Sequence, residues 1–68
     1  MSTPATARVV IRGRRAYLYC PKGHECVSAN VEGTRTGERL ASGQVDAEWC
    51  GFGRCGWEFT GTVQVIQA

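Results

Sequence analysis

One histidine, one lysine, one methionine and two prolines are all that this chain of 68 residues holds of those types. Each scarcity excludes something. No apolar run approaches the ~20 residues that a membrane-spanning helix needs, so no membrane partner is expected. The opening stretch Met-Ser-Thr-Pro-Ala-Thr-Ala-Arg is polar and lacks the apolar segment of a signal peptide. A cytoplasmic, reducing compartment is therefore expected, where closely spaced cysteines serve metals more often than disulfides. No segment carries a sustained 3.6-residue apolar period and no repeat of useful length is present, so helices are not anticipated. With a single histidine and no obvious partner set, a general acid–base site is also poorly supplied.

Cysteine, by contrast, is abundant, and its placement organises the chain. All four cysteines and the one histidine fall in two short clusters, Cys20-Pro-Lys-Gly-His24-Glu-Cys26 and Cys50-Gly-Phe-Gly-Arg-Cys55-Gly. Zn²⁺ takes four tetrahedral ligands from thiolates and imidazoles, commonly as two local pairs. Here one pair is Cys20 with His24, or Cys20 with Cys26, and the other is Cys50 with Cys55. A chain this short buries only ~60% of the surface it exposes unfolded, and small cores of that kind usually need a staple. Zn²⁺ is the expected cofactor. Two disulfides, in any of three pairings, are the competing use of the same four thiols.

Charge is unevenly distributed along the chain. Residues 1–24 hold Arg8, Arg12, Arg14, Arg15 and Lys22 and no acid, whereas residues 25–68 hold three arginines against six carboxylates. The formal net charge of +2 falls close to neutral once three or four cysteines are thiolates holding a Zn²⁺ ion. Overall basicity is thus no argument for a polyanionic partner, but its concentration in one half of the chain is.

In chain order, residues 1–6 are expected to be a disordered tail, and residues 7–68 a single domain. Ala7–Arg12 is rich in β-branched residues and reads as a strand. Gly13-Arg14 is a hairpin turn, and Arg15–Tyr19 is a second strand, with Ala16, Leu18 and Cys20 on one face and Tyr17 and Tyr19 on the other. Glu25–Val31 alternates weakly through Val27, Ala29 and Val31. Glu32–Glu38 is polar, has two glycines and reads as a loop. Gln44–Trp49 alternates most cleanly, with Val45, Ala47 and Trp49 expected inward. Gly56–Phe59 and Thr62–Ile66 complete the set, with Gly61 marking a bulge or bend between them. The expected fold is a small β domain, an antiparallel sheet of about five short strands stapled by zinc.

The residues Cys20, Gly23 and His24, followed by Cys50, Cys55 and Gly56, give the chain a resemblance to the zinc-ribbon and treble-clef class of small zinc-binding modules. It covers roughly residues 16–60. A Cys-x-Lys-Gly-His turn like that of residues 20–24 is also found in actinobacterial RNA-polymerase-binding proteins. The resemblance implies metal-binding turns whose backbone amides face the cysteine sulfur, and a context in transcription. It favours Cys20, His24, Cys50 and Cys55 as ligands, with Cys26 as the substitute. Four residues rather than two separate Cys50 from Cys55, which departs from the common ribbon.

Two working surfaces are compatible with this reading. A nucleic-acid-binding module would use Arg12, Arg14 and Arg15 together with Lys22, Phe52 and Arg54 at the tips of the metal-binding turns. A protein-interaction module docking on a larger complex would use an apolar patch or a free sheet edge. Neither needs a small-molecule substrate, and no enzymatic activity is expected. Cys26 beside His24 is the one nucleophile–base pair the sequence offers to an enzyme.

Overall fold

A computed structural model describes residues 6–68. The first five residues of the expected tail lie outside that range. The described chain forms two layers. One is a four-stranded sheet of β1 (Arg8–Arg12), β2 (Arg15–Tyr19), β3 (Glu25–Asn30) and β6 (Gln64–Gln67), in the order β3-β2-β1-β6. The other holds a short helix, α1 (Arg35–Ala41), and a two-stranded ribbon of β4 (Gln44–Trp49) and β5 (Glu58–Thr62).

The first hairpin follows directly from its sequence. Val9, Val10 and Ile11 favour extended backbone, and Arg12 pairs with Arg15 across the two-residue loop Gly13-Arg14. Gly13 takes φ +59°, a conformation that a residue with a Cβ adopts only at a cost. Alternation then sends Val9, Ile11, Ala16 and Leu18 into one buried cluster with Leu40 of α1 and Val45 of β4. Trp57, Phe59, Val63 and Val65 pack around it.

Three features differ from the sequence expectation. Arg35–Ala41 is helical, so the expected loop over Glu32–Glu38 gives way to helix from Arg35 onward. Thr34 caps the helix, its Oγ1 accepting from the Gly37 amide at 3.0 Å and donating to the Asn30 carbonyl at 2.6 Å. Gly37 lets the helix lie against β3, because a Cβ there would run into the Asn30 carbonyl. The helix has only two turns, and a glycine takes one of its buried positions, so no apolar period announces it.

Secondly, the sheet is mixed. β1–β2, β2–β3 and β4–β5 are antiparallel, but β6 runs parallel to β1. β5 belongs to the ribbon, and the chain crosses to the other layer at Val63, whose amide donates to the Gly43 carbonyl at 2.8 Å. It therefore arrives beside β1 from the far layer rather than by a hairpin, and the strands number six.

Thirdly, the alternation of β4 breaks. Val45 pairs with Gly61 and Glu48 with Phe59, so two residues of β4 stand opposite one of β5. This is a β-bulge. Ala47 takes φ +52° there, its amide donating to Thr60 Oγ1 at 3.0 Å. The extra residue reverses the faces beyond it. Val45 is buried as expected, whereas Ala47 is exposed and Trp49 is 60% exposed.

No helix among the described residues is long and apolar enough to cross a membrane.

Candidate metal centre

Each cysteine–histidine cluster closes a hairpin. Tyr19 pairs with Glu25 at the end of β2–β3, so residues 20–24 are the loop of that hairpin. Trp49 pairs with Glu58 at the end of β4–β5, so residues 50–57 are the loop of the ribbon. One loop comes from each layer, and they meet.

Local hydrogen bonds fix both turns. In the first, the Gly23 amide donates to the Cys20 carbonyl at 2.8 Å and the Cys20 amide to the His24 carbonyl at 3.0 Å. In the second, the Cys50 amide donates to the Trp57 carbonyl at 2.6 Å, and the Cys55 amide donates to the Phe52 carbonyl at 3.1 Å. Gly23, Gly53 and Gly56 all take positive φ here, which lets such short segments reverse twice.

The donor atoms of Cys20, His24, Cys50 and Cys55 all lie within 4.8 Å of one another. Cys20 Sγ is 3.8 Å from Cys55 Sγ, and Cys50 Sγ is 3.7 Å from His24 Nδ1. A tetrahedral zinc with Zn–S near 2.3 Å places its sulfur ligands ~3.8 Å apart, and a nitrogen ligand slightly closer to each sulfur. The donor set and its spacing fit such an ion. Cys20 and Cys50 are fully buried, while His24 and Cys55 are half-buried. A separation of 3.8 Å is far beyond the ~2.05 Å of a disulfide, and all four cysteines are free.

The thiols differ in acidity. Burial would raise the Cys20 pKa, but the backbone amides of His24 and Lys22, and then the Cys55 and Cys50 side chains, bring it down to about 6. At Cys55 the Trp57 backbone favours the thiolate, yet burial and the Cys50 and Cys20 sulfurs outweigh it and raise the pKa. Cys20 is thus a thiolate anchor at neutral pH, held by the amides of its own turn.

Cys26 stands apart from this group. Its thiol donates to the His24 carbonyl at 3.5 Å. Burial, together with the Cys50 and Cys20 sulfurs, pushes its pKa up to about 12, so it remains a neutral thiol. Phe52 lies on the His24 imidazole, with ring centroids 4.6 Å apart and planes at 22°, and is itself 64% exposed.

The chain matches no known protein family, and no curated protein or solved structure matches it. The metal-binding geometry accordingly stands on these residues alone.

The remaining sequence candidates fall into two separate groups. Lys22, Phe52 and Arg54 are exposed on the metal-binding turns. Arg12, Arg14 and Arg15 are exposed around the β1–β2 turn, at the opposite end of β2, about 17 Å away for a five-residue strand. They do not form one surface. Arg15 is further engaged with Ser28 Oγ at 2.9 Å and Asn30 Oδ1 at 3.2 Å. Sequence reading passed over the partner of Arg8, whose guanidinium lies 5.1 Å from the Tyr19 ring centroid. The signal is β-pairing register, which single-sequence alternation does not contain.

Proposed function

We propose that the chain is a structural zinc module that works by binding a nucleic acid rather than by catalysis. The observation that carries the metal reading is the convergence of three sulfurs and one imidazole nitrogen, from two hairpin loops, at the spacing of a tetrahedral ion. Cys20, His24, Cys50 and Cys55 are the ligands, and Cys26 is the neighbour that supports the turn. His24 coordinates through Nδ1, which leaves its proton on Nε2. With four protein donors the coordination shell is closed, as structural zinc sites are, and it offers no position for a substrate.

A Cys26–His24 nucleophile pair receives no support, since Cys26 meets the His24 backbone rather than its ring and its thiol is held neutral. Two surface grooves, of about 290 and 370 Å³, contain neither residue. The nucleic-acid reading draws on the exposed cations of the basic half of the chain. A second reading, docking on a protein complex, is favoured by the exposure of two large apolar side chains, Trp49 and Phe52, because such residues anchor protein contacts.

Native mass spectrometry tests the metal. The expected result is one zinc per chain, with loss of zinc accompanied by loss of dispersed NMR signals. A metal-free mass lighter by two or four hydrogens would replace zinc with disulfides.

A further inference from the structure

Among the described residues, the helix and the β4–β5 ribbon pack on one of the two faces of the four-stranded sheet. Val9, Ile11, Ala16 and Leu18 point into the cluster shared with α1 and the β4–β5 layer. Successive strand residues alternate between faces, so Arg8, Val10, Arg12, Arg15, Tyr17 and Tyr19 point the other way. No helix or strand among the described residues packs on that side.

What the open face presents is specific. Tyr17, Val10 and Ile66 are adjacent in register, and Val10 is 8% exposed. The next row pairs Tyr19 with Arg8, whose guanidinium sits over the phenol ring. The row on the other side pairs Arg12 with Arg15. Arg15 lies across the face, held by Ser28 and Asn30, which fixes a planar cation in position without neutralising it. Glu25 is an acid at the rim, opposite Tyr19, and the ion pair found among the described residues, Arg39–Asp46, belongs to the other layer. The face is therefore a half-apolar, aromatic platform carrying three arginines.

We propose that this outer sheet face binds single-stranded nucleic acid, with Tyr17 and Tyr19 stacking on unpaired bases and Arg8, Arg12 and Arg15 neutralising phosphates. It rests on the nucleic-acid reading above and gives that reading a location. Flat aromatic surfaces accept exposed bases of any sequence, and arginines beside them bind the backbone. A duplex hides its base faces, and a flat sheet face does not enter its grooves. The positive charge gives complementarity to a polyanion.

The test uses the zinc-loaded chain and fluorescently labelled octanucleotides of uridine and of thymidine, titrated by anisotropy at several salt concentrations. Tyr17→Leu with Tyr19→Leu keeps an apolar cover over Val10 and removes the rings. It should weaken binding about tenfold or more and leave the salt slope unchanged. Arg12→Ala with Arg15→Ala should flatten the slope of log K against log salt by about 1.4. Zinc content and NMR dispersion establish that each variant is folded. If the tyrosine pair does not fold, Arg12→Ala alone, at an exposed position, should still flatten the slope by about 0.7.

Unchanged affinity in the face variants, with weakened binding in Lys22→Ala and Arg54→Ala, would overturn the face and leave nucleic-acid binding standing on the metal turns. A duplex bound more tightly than either single strand would overturn the stacking platform. Binding of neither oligonucleotide at ~50 mM salt, where phosphate contacts are strongest, would overturn the nucleic-acid reading as well and leave protein docking.

Discussion

Phe52 covers one face of the His24 imidazole, at 4.6 Å between ring centroids, although most of the phenyl ring is in solvent. The contact holds the imidazole plane while Nδ1 faces Cys50. Ring pairs of this kind contribute about 0.5–1.5 kcal/mol, so Phe52→Ala should leave the fold intact and accelerate zinc transfer to a chelator by up to about tenfold. A colorimetric chelator assay reads this directly. An unchanged release rate would show that Phe52 does nothing for the ligand.

Substitution at the four converging residues should have a different outcome from substitution at their neighbour. Cys20→Ser, Cys50→Ser, Cys55→Ser and His24→Ala each remove a ligand. Structural zinc contributes on the order of 10–16 kcal/mol at neutral pH, more than the whole stability of most small domains. Each variant should lose zinc and its dispersed NMR spectrum. Cys26→Ala removes one weak hydrogen bond to the His24 carbonyl and should retain both. Loss of zinc in Cys26→Ala with retention in His24→Ala would move the site to four cysteines.

Acid should release the metal. The bound form carries thiolates and a neutral imidazole, and the released form takes up protons, so each fall in pH shifts the equilibrium toward release. Cys55, whose pKa is raised, accepts a proton more readily than Cys20, held down to about 6. Zinc-indicator absorbance measured from pH 8 downward should show a steep, cooperative loss accompanied by changed tryptophan fluorescence. Equal retention at pH 4 and pH 7 would count against thiolate ligation.

The bulge in β4 makes a stability prediction with the opposite sign from most substitutions. Ala47 sits at φ +52°, where an L-residue pays roughly 1–2 kcal/mol that glycine does not. Ala47→Gly should raise the unfolding free energy by about 1 kcal/mol, seen as a higher Tm with zinc content unchanged. Ala47→Val should lower it. Glycine is wrong elsewhere: Gly37→Ala would push a Cβ into the Asn30 carbonyl and should destabilise by about 1–3 kcal/mol.

Much of this architecture is legible in the sequence because local rules govern it. The β1–β2 hairpin is specified by β-branched residues around Gly13-Arg14. Ligand chemistry and spacing point to Cys20, Cys50 and Cys55 but leave His24 and Cys26 as alternatives for the fourth donor, and the folded turn brings His24 to the cluster. Helix α1 is hidden because it has only two turns and its buried positions are Gly37 and Leu40, too few apolar residues to show a period. The exposure of Trp49 is hidden for a different reason. One inserted residue at Ala47 reverses the strand's faces, and only the pairing with Phe59 and Gly61 reveals the insertion. The parallel docking of β6 on β1 joins nearly the two ends of the described chain, which no local pattern encodes. The register that sets Arg8 over Tyr19 is equally non-local.

That parallel pairing sets an order of events during synthesis. β1 leaves the ribosome well before its neighbour on one side, Gln64–Gln67. All four candidate donors have been made once Cys55 has emerged, nine residues before Gln64. A nascent chain therefore gathers its full set of four donors while one edge of β1 is still bare. On the zinc reading proposed above, metal capture can precede closure of the sheet, and the ion would then hold the two layers in place for the strand that seals them.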